Sequence, residues 1–118
     1  MTQPAVTLYG IVNCDTVKKT RKLLDALGVD YAFHDYKRAG LDAALAETLL
    51  GAISLEVLIN KRGTTWRKLT AAQQDDLDLR SAPQLIMANP SLVRRPIIRH
   101  ANGWIVGFDE AQLRALAQ

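Results

Sequence analysis

Apolar residues follow two different periods along the first third of the chain, and the change of period predicts a strand, a helix and a second strand. The run Val6–Ile11 is short and apolar, which is typical of a buried strand. From Val17 the apolar positions recur at helical spacing, and Gly28 is the residue type that commonly follows a helix. Alternation over residues 31–36 predicts the second strand. This order indicates a βαβ unit with two parallel strands.

The middle of the chain, about residues 41–90, is predicted to be a mainly helical insertion. Leucines three or four residues apart predict a helix that is broken near Gly51 and Ala52. The further segments expected are a turn or two over residues 55–59, a polar loop over Asn60–Thr65, and helices over Ala71–Leu77 and Ser81–Ala88.

Beyond residue 90 the pattern predicts a β-hairpin and a last helix. Ile97–Arg99 and Trp104–Phe108 are the expected strands, and Asn102-Gly103 between them is a strong two-residue turn signal. Asp109 is a good cap for the helix that follows. The complete order is that of an α/β, thioredoxin-like fold with a helical insertion, and we expect one domain over residues 1–118.

Composition and charge narrow the classes of function. The chain has 118 residues, one cysteine and a formal net charge of +3. A lone cysteine fits a reducing compartment, no apolar run approaches the roughly 20 residues that cross a bilayer, and Met1–Pro4 lacks the features of a signal peptide. We therefore expect a cytoplasmic protein without a membrane or nucleic-acid partner, because so mild a charge does not imply nucleic acid. Three basic segments would make an anion site if the fold joined them: residues 18–22, 61–68 and 94–99.

Cys14 is the main candidate for chemistry. It lies between the first strand and the first helix, where unpaired N–H groups and the helix dipole favour an anion such as a thiolate or an oxyanion. Lys18 follows one turn later and can return its ammonium group toward the sulfur. The polar neighbours Asn13, Asp15 and Thr16 favour a surface site over the alternative, a small buried apolar cysteine.

No second cysteine can resolve an intermediate on Cys14. A CxxC motif would need a cysteine at Val17, so an external thiol such as glutathione or a partner protein must complete a catalytic cycle. No metal site is predicted, because His34 and His100 are scattered and one cysteine is too few for zinc. A Cys/His hydrolase stays open as an alternative, although packing is the preferred role of His34.

Two arginines are candidates for binding an anionic substrate. In thioredoxin-like folds the loop before the third strand holds a cis-proline facing the active cysteine, which makes Pro96 the candidate here. Arg95, just before it, would then point toward the sulfur and bind an oxyanion in a bidentate manner. Arg94 is interpreted as a solvated neighbour. Arg62 either binds phosphate-like groups or a peptide carboxylate, or belongs to a solvated turn.

Six runs of sequence closely resemble the YffB branch of the ArsC/Spx superfamily, and they cover nearly the whole chain. The most specific are NCDTVKK at residues 13–19 and NKRGTTWRKL at residues 60–69. The resemblance implies a thioredoxin-like fold with a helical insertion and a redox-active thiol at Cys14. The other four runs are Val6–Gly10, Asn89–Leu92, Arg95–Ile97 and Val106–Glu110.

In the arsenate reductases of this superfamily a cysteine attacks arsenate held by three arginines, and glutathione and glutaredoxin complete the reduction. Arg95 matches the arginine of the Arg-Pro motif. The middle arginine falls near Asn60, two residues before Arg62, and the last falls at residues 106–108, which contain none. The family histidine four residues before the cysteine is Gly10 here. The resemblance therefore implies the thiol chemistry without the complete arsenate-binding set.

We predict an arsenate reductase-like, glutathione-dependent thiol reductase that acts on a small oxyanion or a disulfide. Glutathione is the expected co-substrate, no cofactor is bound, glutaredoxin is a second candidate partner, and we expect a monomer. One alternative is an Spx-like regulator that binds RNA polymerase, although many such relatives carry a CxxC switch that is absent here; another is a non-catalytic scaffold. The predicted catalytic residues are Cys14, Lys18 and Arg95, and the predicted substrate- or glutathione-binding residues are Asn13, Asp15, Thr16, Arg62 and Pro96.

Overall fold

The computed structural model describes residues 4–118, and within them the chain divides into two compact units. The first unit contains the chain up to Ala39 and the segment Arg95–Gln118, and the second is Gly40–Arg94. Of the N-terminal residues Met1–Pro4, the first three lie outside the described part. None of the helices within residues 4–118 is long and apolar enough to cross a membrane.

A four-stranded mixed sheet forms the centre of the first unit. Its strands are β1 (Thr7–Gly10), β2 (Ala32–Asp35), β3 (Ile97–His100) and β4 (Gly103–Val106), in the order β2-β1-β3-β4. β1 runs parallel to β2 and antiparallel to β3, and β3 is antiparallel to β4. The sheet and its helices confirm the predicted α/β, thioredoxin-like class.

Eight α-helices accompany the strands in the described part of the chain. The first unit holds three of them and the second unit holds five, together with a short 3-10 helix at Pro90–Leu92. In chain order they are α1 (Asp15–Ala26), α2 (Tyr36–Ala39), α3 (Ala43–Ala52), α4 (Leu55–Leu58), α5 (Thr64–Lys68), α6 (Ala71–Asp75), α7 (Ala82–Ala88) and α8 (Glu110–Ala115).

The core of the first unit lies between one face of the sheet and the helices α1 and α8. Side chains alternate between the two faces of a strand, so Leu8 of β1 points into this core and Tyr9 lies on the other face. Helix α1 contributes Val17 and Leu24, which are fully buried and lie two turns apart on the same face of the helix. The cluster consists of Val6, Leu8, Val17, Leu24, Ile98, Ile105 and Leu113.

The second unit has its own buried residues, and side chains cap two of its helices. Asp42 accepts a hydrogen bond from the backbone N–H of Leu45 at 2.8 Å, which caps α3. Thr70 and Gln73 form a reciprocal capping box at the start of α6. An isolated antiparallel bridge joins Ile59 to Val93. The buried apolar residues of this unit include Leu49, Leu58, Ile59, Ile86, Leu92 and Val93.

Several boundaries differ from the sequence prediction. The hairpin turn consists of Ala101 and Asn102 instead of Asn102 and Gly103, because His100 pairs with Gly103 across the ladder. Gly103 adopts a φ of +145°, a backbone conformation that favours glycine and that begins β4 here.

Two short helices differ from the sequence prediction, whereas α3 agrees with it. α3 ends at Ala52, at the break predicted near Gly51 and Ala52, and α5 begins at Thr64 inside the predicted polar loop. The prediction also had no counterpart of α2. Helices of four or five residues contain few positions from which to count a period, which explains why α2 and the start of α5 were missed.

Candidate functional site

Three strand ends bring the candidate residues of the first unit to one end of the sheet. β1 and β2 run parallel and end together, with Gly10 paired to Asp35. β3 runs the other way and begins at Ile97, which pairs with Tyr9. The segments after β1, after β2 and before β3 therefore emerge at the same end, and they carry the side chains of Cys14, Tyr36, Arg95 and Pro96.

Cys14 is the N-cap residue of α1. Its backbone is extended, with φ −123° and ψ 122°, and its carbonyl accepts the first helical hydrogen bond from the N–H of Lys18 at 2.9 Å. No side chain caps this helix end, so the amides of the first turn stay directed toward the space before the helix. The side chain of Cys14 is half-buried against the core cluster. This geometry places Cys14 at the positive end of the α1 dipole, where helix N–H groups can bind an anion.

The residues around Cys14 differ in how far they can contribute. Lys18 is exposed one turn later on α1, and Asn13 is exposed in the loop before it. Asp15 is exposed and puts a negative charge in the first turn of α1. This charge would repel a thiolate, but solvent and salt screen the repulsion between exposed groups. Thr16 is half-buried, and its carbonyl accepts a hydrogen bond from the hydroxyl of Thr20 at 2.8 Å.

The Arg95-Pro96 segment lies directly before β3. The peptide bond between the two residues is cis, Pro96 is buried, and the Pro96 carbonyl accepts a hydrogen bond from the N–H of Gly107 at 2.8 Å. Arg95 is half-buried, and its positive charge acts on the hydroxyl of Tyr36. Arg95 is therefore half-buried at the end of the sheet that carries Cys14, whereas the neighbouring Arg94 is exposed.

Tyr36 is a site residue that the sequence did not single out. It is only 2% exposed, and its ring stacks on that of Tyr9 with a centroid distance of 6.3 Å. Burial raises the pKa of Tyr36 well above its ordinary value, Tyr9 raises it further, and Arg95 offsets part of the rise. The phenol is therefore neutral at physiological pH and can act as a hydrogen-bond donor near Arg95. Its only sequence signal is its place directly after β2.

We expect Tyr36→Phe to leave the free energy of unfolding unchanged or to raise it by up to about 1 kcal/mol. The reason is that the Tyr36 hydroxyl is buried without a hydrogen-bond partner within residues 4–118, while the stacking on Tyr9 survives in phenylalanine. Urea unfolding measures the difference. Tyr31→Phe is the matched control, since the Tyr31 hydroxyl accepts from Nε of Arg21 at 3.1 Å and its removal should lower the stability. A destabilised Tyr36→Phe would contradict this account.

Arg62 belongs to the second unit. Its side chain is exposed, and its backbone N–H donates to Oδ1 of Asn60 at 3.1 Å. The ammonium group of Lys61, in the same loop, lies 5.4 Å from the ring centre of Trp66 in α5, a cation–π contact. The loop before α5 is thus locally ordered and basic.

The fold, with a cysteine at the first helix N-terminus and a cis-proline before the third strand, defines the thioredoxin-like class. The sequence model described as the ArsC family matches residues 9–116. This chain belongs to the ArsC family.

Three similar proteins illustrate the range of this family. A solved structure named YFFB protein is 39% identical, with a TM-score of 0.89 over 96% of this chain and 99% of its own. An arsenate reductase (ArsC) related protein from Brucella melitensis is 44% identical, with a TM-score of 0.76 over 98% and 96%. The global transcriptional regulator Spx of Streptococcus agalactiae is 33% identical over 93% of this chain and 81% of its own. The YffB and Spx relationships predicted from the sequence runs are confirmed.

Proposed function

We propose that this chain is a glutathione-dependent thiol reductase whose single nucleophile is Cys14. The observation that carries the proposal is the half-buried sulfur at the uncapped N-terminus of α1, on the same end of the sheet as Arg95. The similarity to an arsenate reductase (ArsC) related protein supports thiol chemistry of this kind. The departures at Gly10 and residues 106–108 favour a disulfide over arsenate as the substrate.

The proposed cycle has two thiol–disulfide exchanges. The Cys14 thiolate attacks the glutathione sulfur of a mixed disulfide, so that a Cys14–glutathione S–S bond forms and the substrate leaves as a thiolate. A glutathione thiolate then attacks the glutathione sulfur bound to Cys14, which releases glutathione disulfide and restores the Cys14 thiolate. The net reaction consumes one glutathione thiol for each mixed disulfide: the substrate sulfur is reduced to a thiol, and the glutathione of the mixed disulfide leaves as one half of glutathione disulfide.

The side chains of the first unit have separate roles in this cycle. The first-turn amides of α1 and the ammonium group of Lys18 stabilise the thiolate, because each contributes positive charge near the sulfur. Arg95 orients a carboxylate of the bound glutathione through its planar pair of N–H donors. Asn13, Asp15, Thr16 and Pro96 are the candidates for contacting the substrate near the sulfur. Arg62, in the second unit, stays a separate candidate from the sequence for binding an anionic group.

The test is intact-mass spectrometry of the reduced protein after incubation with glutathione disulfide. We expect the wild type to gain one glutathionyl group, which later addition of glutathione removes, and Cys14→Ser to gain none. The Cys14 thiol should also react with iodoacetamide at neutral pH faster than free cysteine does, since the thiolate is the reactive form. A wild-type protein that gains no glutathionyl group, or an alkylation rate equal to that of free cysteine, would contradict the proposal.

The similarity to the transcriptional regulator Spx favours a second candidate function, a regulatory protein that binds RNA polymerase. A pull-down with purified RNA polymerase distinguishes the two candidates. Stable binding by both the wild type and Cys14→Ser, together with no glutathionylation, would favour the regulator.

A further inference from the structure

A groove of about 390 Å³ opens in the first unit on the side of α1 and β2. It is separate from the loop before β3 that carries Arg95. The residues that line it are Val12, Arg21, Phe33, Asp35, Arg38 and Ala39. We call it the Arg21–Arg38 groove.

The groove contains charges of both signs that do not neutralise one another. Asp35 is a carboxylate only 9% exposed, the half-buried Arg21 supplies one cation, and the exposed Arg38 supplies a second. The ion pair found within residues 4–118 joins Arg114 to Glu110, so Asp35 is paired with neither arginine. Buried or half-buried charges are costly unless a partner compensates them. The lining is thus complementary to a ligand that carries one cation and one anion close together.

Two of the three charged groups, Arg21 and Asp35, are held by contacts with their neighbours. The Arg21 guanidinium lies over the Phe33 ring at 4.3 Å, and its Nε donates to the Tyr31 hydroxyl at 3.1 Å. Arginine carries five N–H donors, so the bond from Nε leaves the terminal nitrogens of Arg21 for another acceptor. Oδ1 of Asp35 accepts from the N–H of Lys37 at 2.9 Å, which fixes the carboxylate at the start of α2.

The groove lies within reach of a molecule attached to Cys14. Val12 is two residues before Cys14, so the Cα atoms of the two residues are at most about 7 Å apart. Arg21 is seven residues after Cys14, almost two full helical turns, so it faces the same side of α1 about 10 Å along the axis. An extended chain from the sulfur of glutathione to its γ-glutamyl head group covers roughly 9 Å. The lengths therefore match.

We propose that the Arg21–Arg38 groove binds the α-amino carboxylate of a γ-glutamyl thiol, with the ammonium group at Asp35 and the carboxylate at Arg21 and Arg38. This inference rests on the proposed function, because it names the part of the thiol substrate that this second subsite selects. The groove would select γ-glutamyl thiols by charge, because a disulfide without the γ-glutamyl group offers no ammonium group to Asp35 and no carboxylate to the two arginines.

The kinetic test compares glutathione disulfide with oxidised cysteinylglycine, which lacks the γ-glutamyl group. We expect the wild type to form its mixed disulfide about tenfold faster with glutathione disulfide. Arg38→Gln and Asp35→Asn should reduce this preference to about threefold or less, since each removes one charge. Asparagine keeps the oxygen that accepts from Lys37. Lys37→Gln is the matched control: it removes an exposed charge on the same turn outside the groove and should keep the full preference.

A binding test that needs no thiol reaction separates the two proposals. The unreactive S-methylglutathione is titrated into ¹⁵N-labelled Cys14→Ser, and we expect amide shifts at Val12, Phe33 and Ala39 that Arg38→Gln abolishes. Shifts at these residues without glutathionylation of the wild type would refute the reductase proposal but not the groove. Glutathionylation of the wild type with an equal rate for both disulfides, or a preference unchanged in Arg38→Gln and Asp35→Asn, would overturn the groove alone.

Discussion

Replacing Gly10 with alanine is expected to lower the free energy of unfolding by about 1–2 kcal/mol. A Cβ atom at residue 10 would lie 2.8 Å from Cγ2 and 3.4 Å from Cγ1 of Val17. Val17 is fully buried on α1, and a valine in a helix has one strongly preferred rotamer, so its methyl groups cannot turn away. Overpacking of this kind costs about 1–3 kcal/mol. It outweighs the roughly 0.5–1 kcal/mol that alanine gains over glycine from the unfolded chain.

A double-mutant cycle in urea unfolding checks the cause of this loss. Val17→Ala alone is destabilising, because it leaves a cavity, but it also opens the space that a Cβ at residue 10 needs. The double variant should therefore be more stable than the sum of the single effects by at least about 1 kcal/mol. Additive effects, or a Gly10→Ala protein as stable as the wild type, would contradict this account. They would show that α1 can shift away from β1 without a loss of stability.

The same contact excludes a larger residue at position 10. The sequence resemblance implies a histidine at this position in the arsenate reductases, and an imidazole is larger than the single Cβ that Val17 already excludes. Gly10 and Val17 thus form a closely packed pair of backbone and side chain.

The sequence predicted the elements whose periods are long enough to be counted. The buried face of α1, the parallel pair β1 and β2, and the capped helix after Asp109 follow from apolar spacing and capping residues. The turn signal at Asn102-Gly103 found the hairpin but placed its centre one residue late, because a local preference does not include the pairing of His100 with Gly103. Register is set by the whole ladder.

The parts of the site that the sequence missed depend on contacts between distant residues. The sequence pattern presents Tyr36 and Asp35 only as strand positions. Their burial, which makes them candidates for the site and the groove, comes from the packing around them. Arg21 was counted in a basic cluster, although its position over Phe33 decides which way it points. Charge and spacing indicate candidate residues for an anion site, but only the fold determines which of these charges line one groove.

Arg95→Ala is expected to slow glutathionylation of Cys14 by glutathione disulfide by about 10- to 100-fold. Arg95 is half-buried at the sheet end that carries Cys14. In the proposed cycle, its charge-assisted bidentate bond to a carboxylate orients the disulfide for attack. Arg95→Lys should fall between the two proteins, since it keeps the charge and loses the planar fork. The rate of glutathionyl transfer, followed by intact mass, measures the effect.

The neighbouring Arg94 provides the control that separates orientation from general charge. Arg94 is exposed, and its backbone N–H bonds to the carbonyl of Leu58 at 2.8 Å whatever its side chain is, so Arg94→Ala removes one positive charge and keeps the backbone contact. We expect its rate to stay within about twofold of the wild type, because exposed charges act weakly through solvent. Arg95→Ala and Arg94→Ala should both react with the uncharged 2-hydroxyethyl disulfide at nearly the wild-type rate, because this disulfide offers no carboxylate. If Arg95→Ala slowed both disulfides by the same factor, Arg95 would act on the Cys14 thiolate and not on the substrate.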